Sequence, residues 1–307
     1  MGDIKFFKLN DDNIQELHGR SVSLEKSLQN LIEKHLESFL GIKFLASEYS
    51  TGKRHGGRID TLGLDENNSP VIIEYKRSVN ENVINQGLYY LDWLLDHKAE
   101  LELMTLRKFD QSIADNIDWS SPRLLCIAGS FTKYDEHAVQ QINRNIELYQ
   151  YKHYEGEFLM LDLVNATTAQ TVYIDVDSSD RTQKSGSKSF KTVSDYLDQA
   201  NEQLTDRFEN LKAFLIALGD DIQMKTLKYY IAFKRIKNFA CVEIHPQSNT
   251  ILLYLKVDPT TVTLEQGFTR NVSNIGHYGT GDLEIRINND EDLEKAKPFI
   301  EKSYDIS

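Results

Sequence analysis

The chain has 307 residues, more than one typical domain holds, and its 40% hydrophobic and 27% charged residues match a soluble globular protein with a sizeable core. Its formal net charge of −12 excludes a protein that coats nucleic acid over its whole surface, but leaves room for a local basic groove. Cys126 and Cys241 are too few for a disulfide framework or an all-cysteine zinc site, the opening residues lack the apolar run of a signal peptide, and no stretch approaches about 20 apolar residues, so a cytoplasmic protein with no membrane partner is expected.

In chain order, residues 4–8 predict a short strand. Leu24, Leu28, Leu31, Ile32, Leu36, Phe39 and Leu40 then recur at helical spacing, with Ser23 as N-cap and Gly41 as the stop. Glu25 falls in the first turn of that helix, where its charge suits the dipole. Residues 42–50 read as a strand. The loop at 51–57 follows, with Lys53, Arg54 and His55 set before Gly56 and Gly57, and it suits either a phosphate contact or a solvated surface loop.

Residues 58–64 and 70–76 predict two strands around the Asp-rich and Asn-rich turn at 65–69. A hairpin symmetric about Asn67 sets Asp60 opposite Glu74 and Arg58 opposite Lys76. Side chains alternate along a strand, so Lys76 shares a face with both acids. Two carboxylates this close repel in a dry interior and call for a cation; oxygen ligands suit magnesium or manganese. Leu62, Leu64 and Ile72 fall beside the acids, with Ile59, Val71, Ile73 and Tyr75 opposite, the pattern of central strands. A plain salt-bridge cluster of Asp60, Glu74 and Lys76 is the alternative.

A helix is expected from about residue 82, with Ile84, Leu88, Leu91 and Leu95 as its buried stripe and Gln86, Tyr90, Trp93 and His97 on another face. Residues 98–118 read as helical or mixed, 123–131 as a strand, 135–151 as a helix carrying Ile142, Ile146 and Tyr149, and 158–164 and 170–176 as strands. This alternation belongs to the α/β class. The polar, Ser-rich stretch 178–192 reads as a linker. Beyond it come a long helix at 193–218 and a segment at 224–238 that mixes Lys225, Lys228, Lys234, Arg235 and Lys237 with Tyr229, Tyr230 and Phe233. That mixture suits a nucleic-acid groove or a strand whose lysines discourage edge pairing. Strands at 239–245 and 250–257 flank a turn, and a glycine-rich loop from Asn274 leads to a strand and a helix at 290–304. The loop lacks the lysine and hydroxyl of a P-loop.

Asp60 followed by Glu74-Tyr75-Lys76 resembles the acid and acid-x-Lys motif of the PD-(D/E)xK nucleases, in the branch with NucS-type and RecB-type domains. The motif's proline is absent, since Arg58 and Ile59 precede Asp60. Gln86 and Tyr90, four apart after that motif, resemble the Gln-x-x-x-Tyr signature of the RecB-like members. The resemblance implies a restriction-endonuclease-like mixed sheet flanked by helices over residues 1–177, a linker at 178–192, and a smaller α+β domain over 193–307. It implies Mg2+ or Mn2+ held by Asp60, Glu74, the carbonyl of Tyr75 and Glu25, with Glu33 as the competitor to Glu25. Lys76 would serve the attacking water. Gln86, Tyr90, Lys53, Arg54, Arg58 and Arg77 would contact DNA, and duplex cleavage would favour a homodimer. The alternative is a catalytically inactive nucleic-acid-binding or protein-interaction module on the same fold. Residues 193–307 resemble an uncharacterised prokaryotic domain sometimes labelled a putative transport protein; with no membrane span expected, that label carries little physical content.

Overall fold

A computed structural model of the protein describes residues 4–10, 13–20, 25–76, 83–155, 157–169 and 192–307. They fall into two compact units, Met1–Val172 and Tyr173–Ser307, each with a core of its own. The first unit is a mixed α/β sheet flanked by helices, and the second is α+β.

The first unit opens with strands β1 (Phe6–Asn10), β2 (Asn13–Leu17) and β3 (Gly19–Arg20), then helices α1 (Glu25–Lys34) and α2 (Leu36–Leu40). Strand β4 (Lys43–Ser50), the single-turn helix α3 (Gly52–His55), β5 (Arg58–Leu64) and β6 (Pro70–Lys76) follow. Helices α4 (Val83–Asp96), α5 (Lys98–Lys108) and α6 (Gln111–Asp115) lead to β7 (Arg123–Ala128), α7 (Lys133–Gln140), β8 (Asn145–Tyr154) and β9 (Phe158–Thr167). The seven-stranded sheet runs β3-β8-β7-β6-β5-β4, with β9 also on β8. Strands β4, β5 and β6 are antiparallel, whereas β6, β7 and β8 are parallel. Helix α1 packs on β5 and β6, and α4 covers β6 and β7, so the middle strands lie between helices and read as apolar runs.

The second unit contains α8 (Val193–Asp198), α9 (Glu202–Ala217), β10 (Gln223–Thr226), β11 (Ile231–Lys234), β12 (Asn238–His245), β13 (Thr250–Leu255), β14 (Thr269–Asn271), β15 (Leu283–Ile287) and α10 (Asp290–Asp305). Its antiparallel sheet runs β10-β11-β12-β13-β15-β14. Leu204, Phe208, Leu211 and Leu215 of α9 and Leu293, Ala296 and Ile300 of α10 bury their stripes against Val242, Leu253 and Ile285.

Several expectations are corrected. The helix expected from 24 to 40 breaks at His35 into α1 and α2, and Gly41 closes the second in the left-handed conformation, φ 64°. The loop at 51–57 contains a helical turn, closed by Gly56 at φ 65°. The helix expected over 135–151 ends at Gln140, and residues 145–154 form β8. Ile146 and Tyr149 fit helical spacing, but Arg123 on β7 supplies a buried partner for Glu147, which secures the strand. The helix expected over 193–218 is interrupted; Asn201 caps α9 by accepting from the Leu204 amide at 2.9 Å. On α4, Tyr90 and Trp93 of the second face belong to the core as well as the stripe of Ile84 and Leu91, and Gly57 and Gly87 let neighbouring chain approach: a Cβ on Gly57 would lie 2.4 Å from the Tyr90 ring, and one on Gly87 2.4 Å from Leu124. The short N-terminal strand runs over Phe6–Asn10 instead of 4–8. The strand expected at 170–176, nearly all of the linker at 178–192, Ser23, Leu24 and Arg77 lie outside the described residues.

Candidate metal and nucleic-acid site

The β5–β6 hairpin has the register symmetric about Asn67, with Thr61 opposite Ile73, Leu62 opposite Ile72, Gly63 opposite Val71 and Leu64 opposite Pro70. Asp65 sets this register by accepting from the Asn67 and Ser69 amides at 2.9 and 2.8 Å, and it is held by Arg123 at 3.0 Å. The ladder stops one step before the acids. Where Asp60 and Glu74 would pair main chain to main chain, side chains take over: the Asp60 amide donates to Glu74 Oε1 at 3.2 Å, and the Tyr75 amide donates to Asp60 Oδ2 at 3.1 Å. Each carboxylate therefore reaches the other's strand, and the two acids are brought together.

A change of face one strand away accompanies this. Ser47 on β4 accepts from Gln29 of α1 at 3.4 Å, yet Tyr49 packs on Trp93 of α4 with ring centroids 5.7 Å apart. Residues two apart on a regular strand point the same way; between these two stands Glu48 in the left-handed region, φ 55°. The partners follow suit. Thr61 donates to Glu33 of α1, whereas Ile59 joins the cluster of Leu62, Leu64 and Trp93, which corrects its expected place on the opposite face. Both strands change sides at the rung of Glu48 and Asp60, and Asp60 turns sideways onto β6.

Glu74 is fully buried, and its Oε2 has no hydrogen-bond partner. Burial, then the neighbouring Asp60 charge, push its pKa up to about 9, against the pull of the Asp60 amide and Lys76. Burial also raises Asp60, opposed by the Tyr75 amide and Lys76. Lys76 Nζ lies 3.4 Å from Glu25 Oε1, so the first helix does supply an acid at the lysine. Glu33, its competitor, instead accepts from Thr61 at 2.5 Å and from Gln29 at 2.9 Å. Among the described residues no group of three or more His, Cys, Asp or Glu is gathered as a metal site.

The substrate-contact candidates are spread more widely. The Tyr90 hydroxyl accepts from the Arg58 amide at 3.1 Å and from Gln86 Nε2 at 3.4 Å, so this pair fixes the entry to β5. The Arg58 side chain pairs with Glu48 at 2.5 Å instead of facing Lys76, because Arg58 precedes the rung where the strands part. Lys53 is exposed on α3 and lines a cavity of about 460 Å³ with His55, Trp93 and His97. The Arg54 side chain and Arg77 lie outside the described set.

Sequence reasoning missed Lys26, Gln29 and Glu48. Gln29 is buried, donates to the Asp60 carbonyl at 2.8 Å and accepts from Lys26 at 3.1 Å. The available signal was a polar residue, Gln29, next to Leu28 and one turn before Ile32 on a helix face otherwise expected to be apolar.

Comparison with known proteins gives the following. Residues 193–307 match the family described as a domain of unknown function, DUF5655. An "Uncharacterized protein" of Haemophilus influenzae (strain ATCC 51907 / DSM 11121 / KW20 / Rd) is 29% identical over 304 residues, covering 98% of this chain and 99% of that one. A solved structure titled "Structure of EndoMS-dsDNA2 complex" is similar at 16% identity, with 48% of this chain and 64% of that chain covered, and a TM-score of 0.30. The chain thus spans just under two thirds of that structure's chain, and so loose a superposition bears on neither mechanism nor substrate.

Proposed function

We propose that the first unit is a restriction-endonuclease-like, metal-dependent nuclease that hydrolyses phosphodiester bonds, with DNA as substrate. The observation that carries this reading is the pairing of Asp60 and Glu74 across the parted strands, with Glu74 Oε2 buried and without a hydrogen-bond partner beside a second carboxylate. Two adjacent oxygen donors whose charges oppose one another fit a hard divalent cation, Mg2+ or Mn2+. Asp60, Glu74 and the Tyr75 carbonyl would hold it, with Glu25 as a further oxygen ligand. When bound, the cation supplies positive charge against the phosphoryl oxygens.

The chain's own groups account for the rest. Burial and the Asp60 charge favour a protonated Glu74 carboxyl at neutral pH, and Glu74 would give up that proton to serve as a ligand. Lys76, with three N–H donors beside Glu25, orients the attacking water and balances charge that develops on the phosphate. Arg58, Arg54, Lys53 and Arg77 draw in the backbone phosphates, and Gln86 and Tyr90 hold the strand next to the acids against the substrate. Cutting both strands of a duplex with one site per chain would favour a homodimer.

The competing reading is a catalytically inactive nucleic-acid-binding or protein-interaction module on the same fold. One assay decides between them. Purified protein is incubated with Mg2+, Mn2+ or chelator on plasmid, linear, single-stranded and flap DNA. Metal-dependent cleavage that drops at least about a hundredfold in Lys76→Ala and Asp60→Asn supports the nuclease; binding that leaves every substrate intact supports the module.

A further inference from the structure

We propose that Glu48 is a positioning residue for Asp60, turning that acid out of the β5 ladder and onto β6. Its consequence for cleavage rests on the nuclease reading; its structural content does not.

Three independent observations meet at this residue. First, Glu48 lies at φ 55°, a region in which side chains other than Gly, Asn and Asp are uncommon and that costs on the order of 1 kcal/mol or more unless the surroundings enforce it. Second, the strands on both sides of its rung change faces there: Ser47 and Thr61 look toward α1, Tyr49 and Ile59 toward α4. Third, the Glu48 carboxylate is fixed from two directions. Lys26 donates to Oε1 and the Arg58 guanidinium forms an ion pair with Oε2 without a hydrogen bond, both at 2.5 Å, and the pairing with Lys26 comes first in holding the Glu48 carboxyl below the usual carboxylate range.

The same lysine donates to Gln29, which in turn donates to the Asp60 carbonyl. Glu48 therefore acts on Asp60 along two routes, through the ladder neighbour Arg58 and through α1. A strand that kept regular alternation would aim Asp60 at one helix layer, away from the Tyr75 amide. In this role Glu48 sets the direction of the residue that would hold the cation.

Amide hydrogen exchange on the full chain tests this without any need for activity. The reporters are the Tyr75 and Asp60 amides, which donate to the two site carboxylates, and the controls are the Ile73 and Leu62 amides on the intact part of the hairpin. Glu48→Ala is expected to speed exchange at both reporters at least about tenfold, the loss of one net hydrogen bond, with the controls changed less than about twofold. Glu48→Gln, which keeps polar atoms toward Lys26, is expected to recover part of the protection. Should Glu48→Ala fail to fold, Lys26→Met decides, since Lys26 is half exposed and its loss leaves the chain intact while freeing the Glu48 carboxylate on one side. Unchanged reporters in a folded variant, or reporters and controls rising together, overturn the proposal.

In the cleavage assay, Glu48→Ala is expected to lower kcat while KM for DNA stays level or falls, because Lys26 and Arg58 are released to phosphate. A rise in KM at constant kcat overturns the catalytic part. If the wild-type chain cleaves nothing, the nuclease reading falls and the exchange data still decide the role of Glu48.

Discussion

Glu74 is a carboxyl group withdrawn from water and set beside Asp60, and that has a thermodynamic signature. Its folded pKa of about 9 lies above the ordinary 4.5, so between those values the folded chain keeps a proton that the unfolded chain has released. Stability accordingly falls as pH rises through that window, by up to about 1.4 kcal/mol per pH unit for one proton, and Asp60, shifted in the same direction, adds to the slope. Glu74→Gln should flatten the slope and raise stability at pH 8, with wild type and variant converging below pH 4.5. Urea unfolding in chelator at several pH values measures this, and parallel curves for the two proteins would refute it. The acids, the lysine and the hairpin register were legible in the sequence, because the turn chemistry of Asp65 and the apolar runs on either side leave one symmetric pairing. The parting of the strands at Asp60 was not. It goes with Glu48 on a different strand, and a left-handed glutamate leaves no mark in composition or periodicity.

At the scale of elements, the entry to β5 depends on Gly57 and Tyr90. A methyl group at Gly57 would sit 2.4 Å from the Tyr90 ring and 2.9 Å from its hydroxyl, so Gly57→Ala must shift α4 or the strand. It is expected to cost about 1–3 kcal/mol in urea unfolding, and a neutral result would mean that the ring can move aside. The other end of the sheet is tied by Arg123, buried between Asp65 at the β5–β6 turn and Glu147 on β8. Arg123→Met leaves two buried acids without their cation, and a loss of about 3–5 kcal/mol is expected in the same measurement. This arrangement also explains why β8 was read as a helix: Ile142, Ile146 and Tyr149 satisfy a 3.6-residue period, and only a partner more than twenty residues away, Arg123, turns Glu147 inward as a strand residue. The long helices at 24–40 and 193–218 were legible as helical but not as broken, since their interruptions fall at His35 and near Asn201, polar residues without Gly or Pro to announce a stop.

On the scale of the whole chain, the core of the second unit is built, among the described residues, from Val193, α9, strands β11, β12, β13 and β15, and α10. A fragment of residues 192–307 is therefore expected to unfold in one cooperative transition when expressed without the rest, as followed by circular dichroism and calorimetry; a broad, non-cooperative melt would show that it needs the first unit. In the first unit, strand connectivity governs the order of assembly. The hairpin bearing Asp60 and Glu74 closes over the short turn at 65–69, whereas its parallel neighbour β7 follows helices α4, α5 and α6 in the chain. Local closure is quick and distant pairing slow. The hairpin is thus expected to form before β7 and α4 seal the sheet over the two acids, and stopped-flow refolding in mild acid is expected to outpace refolding at alkaline pH at that late step.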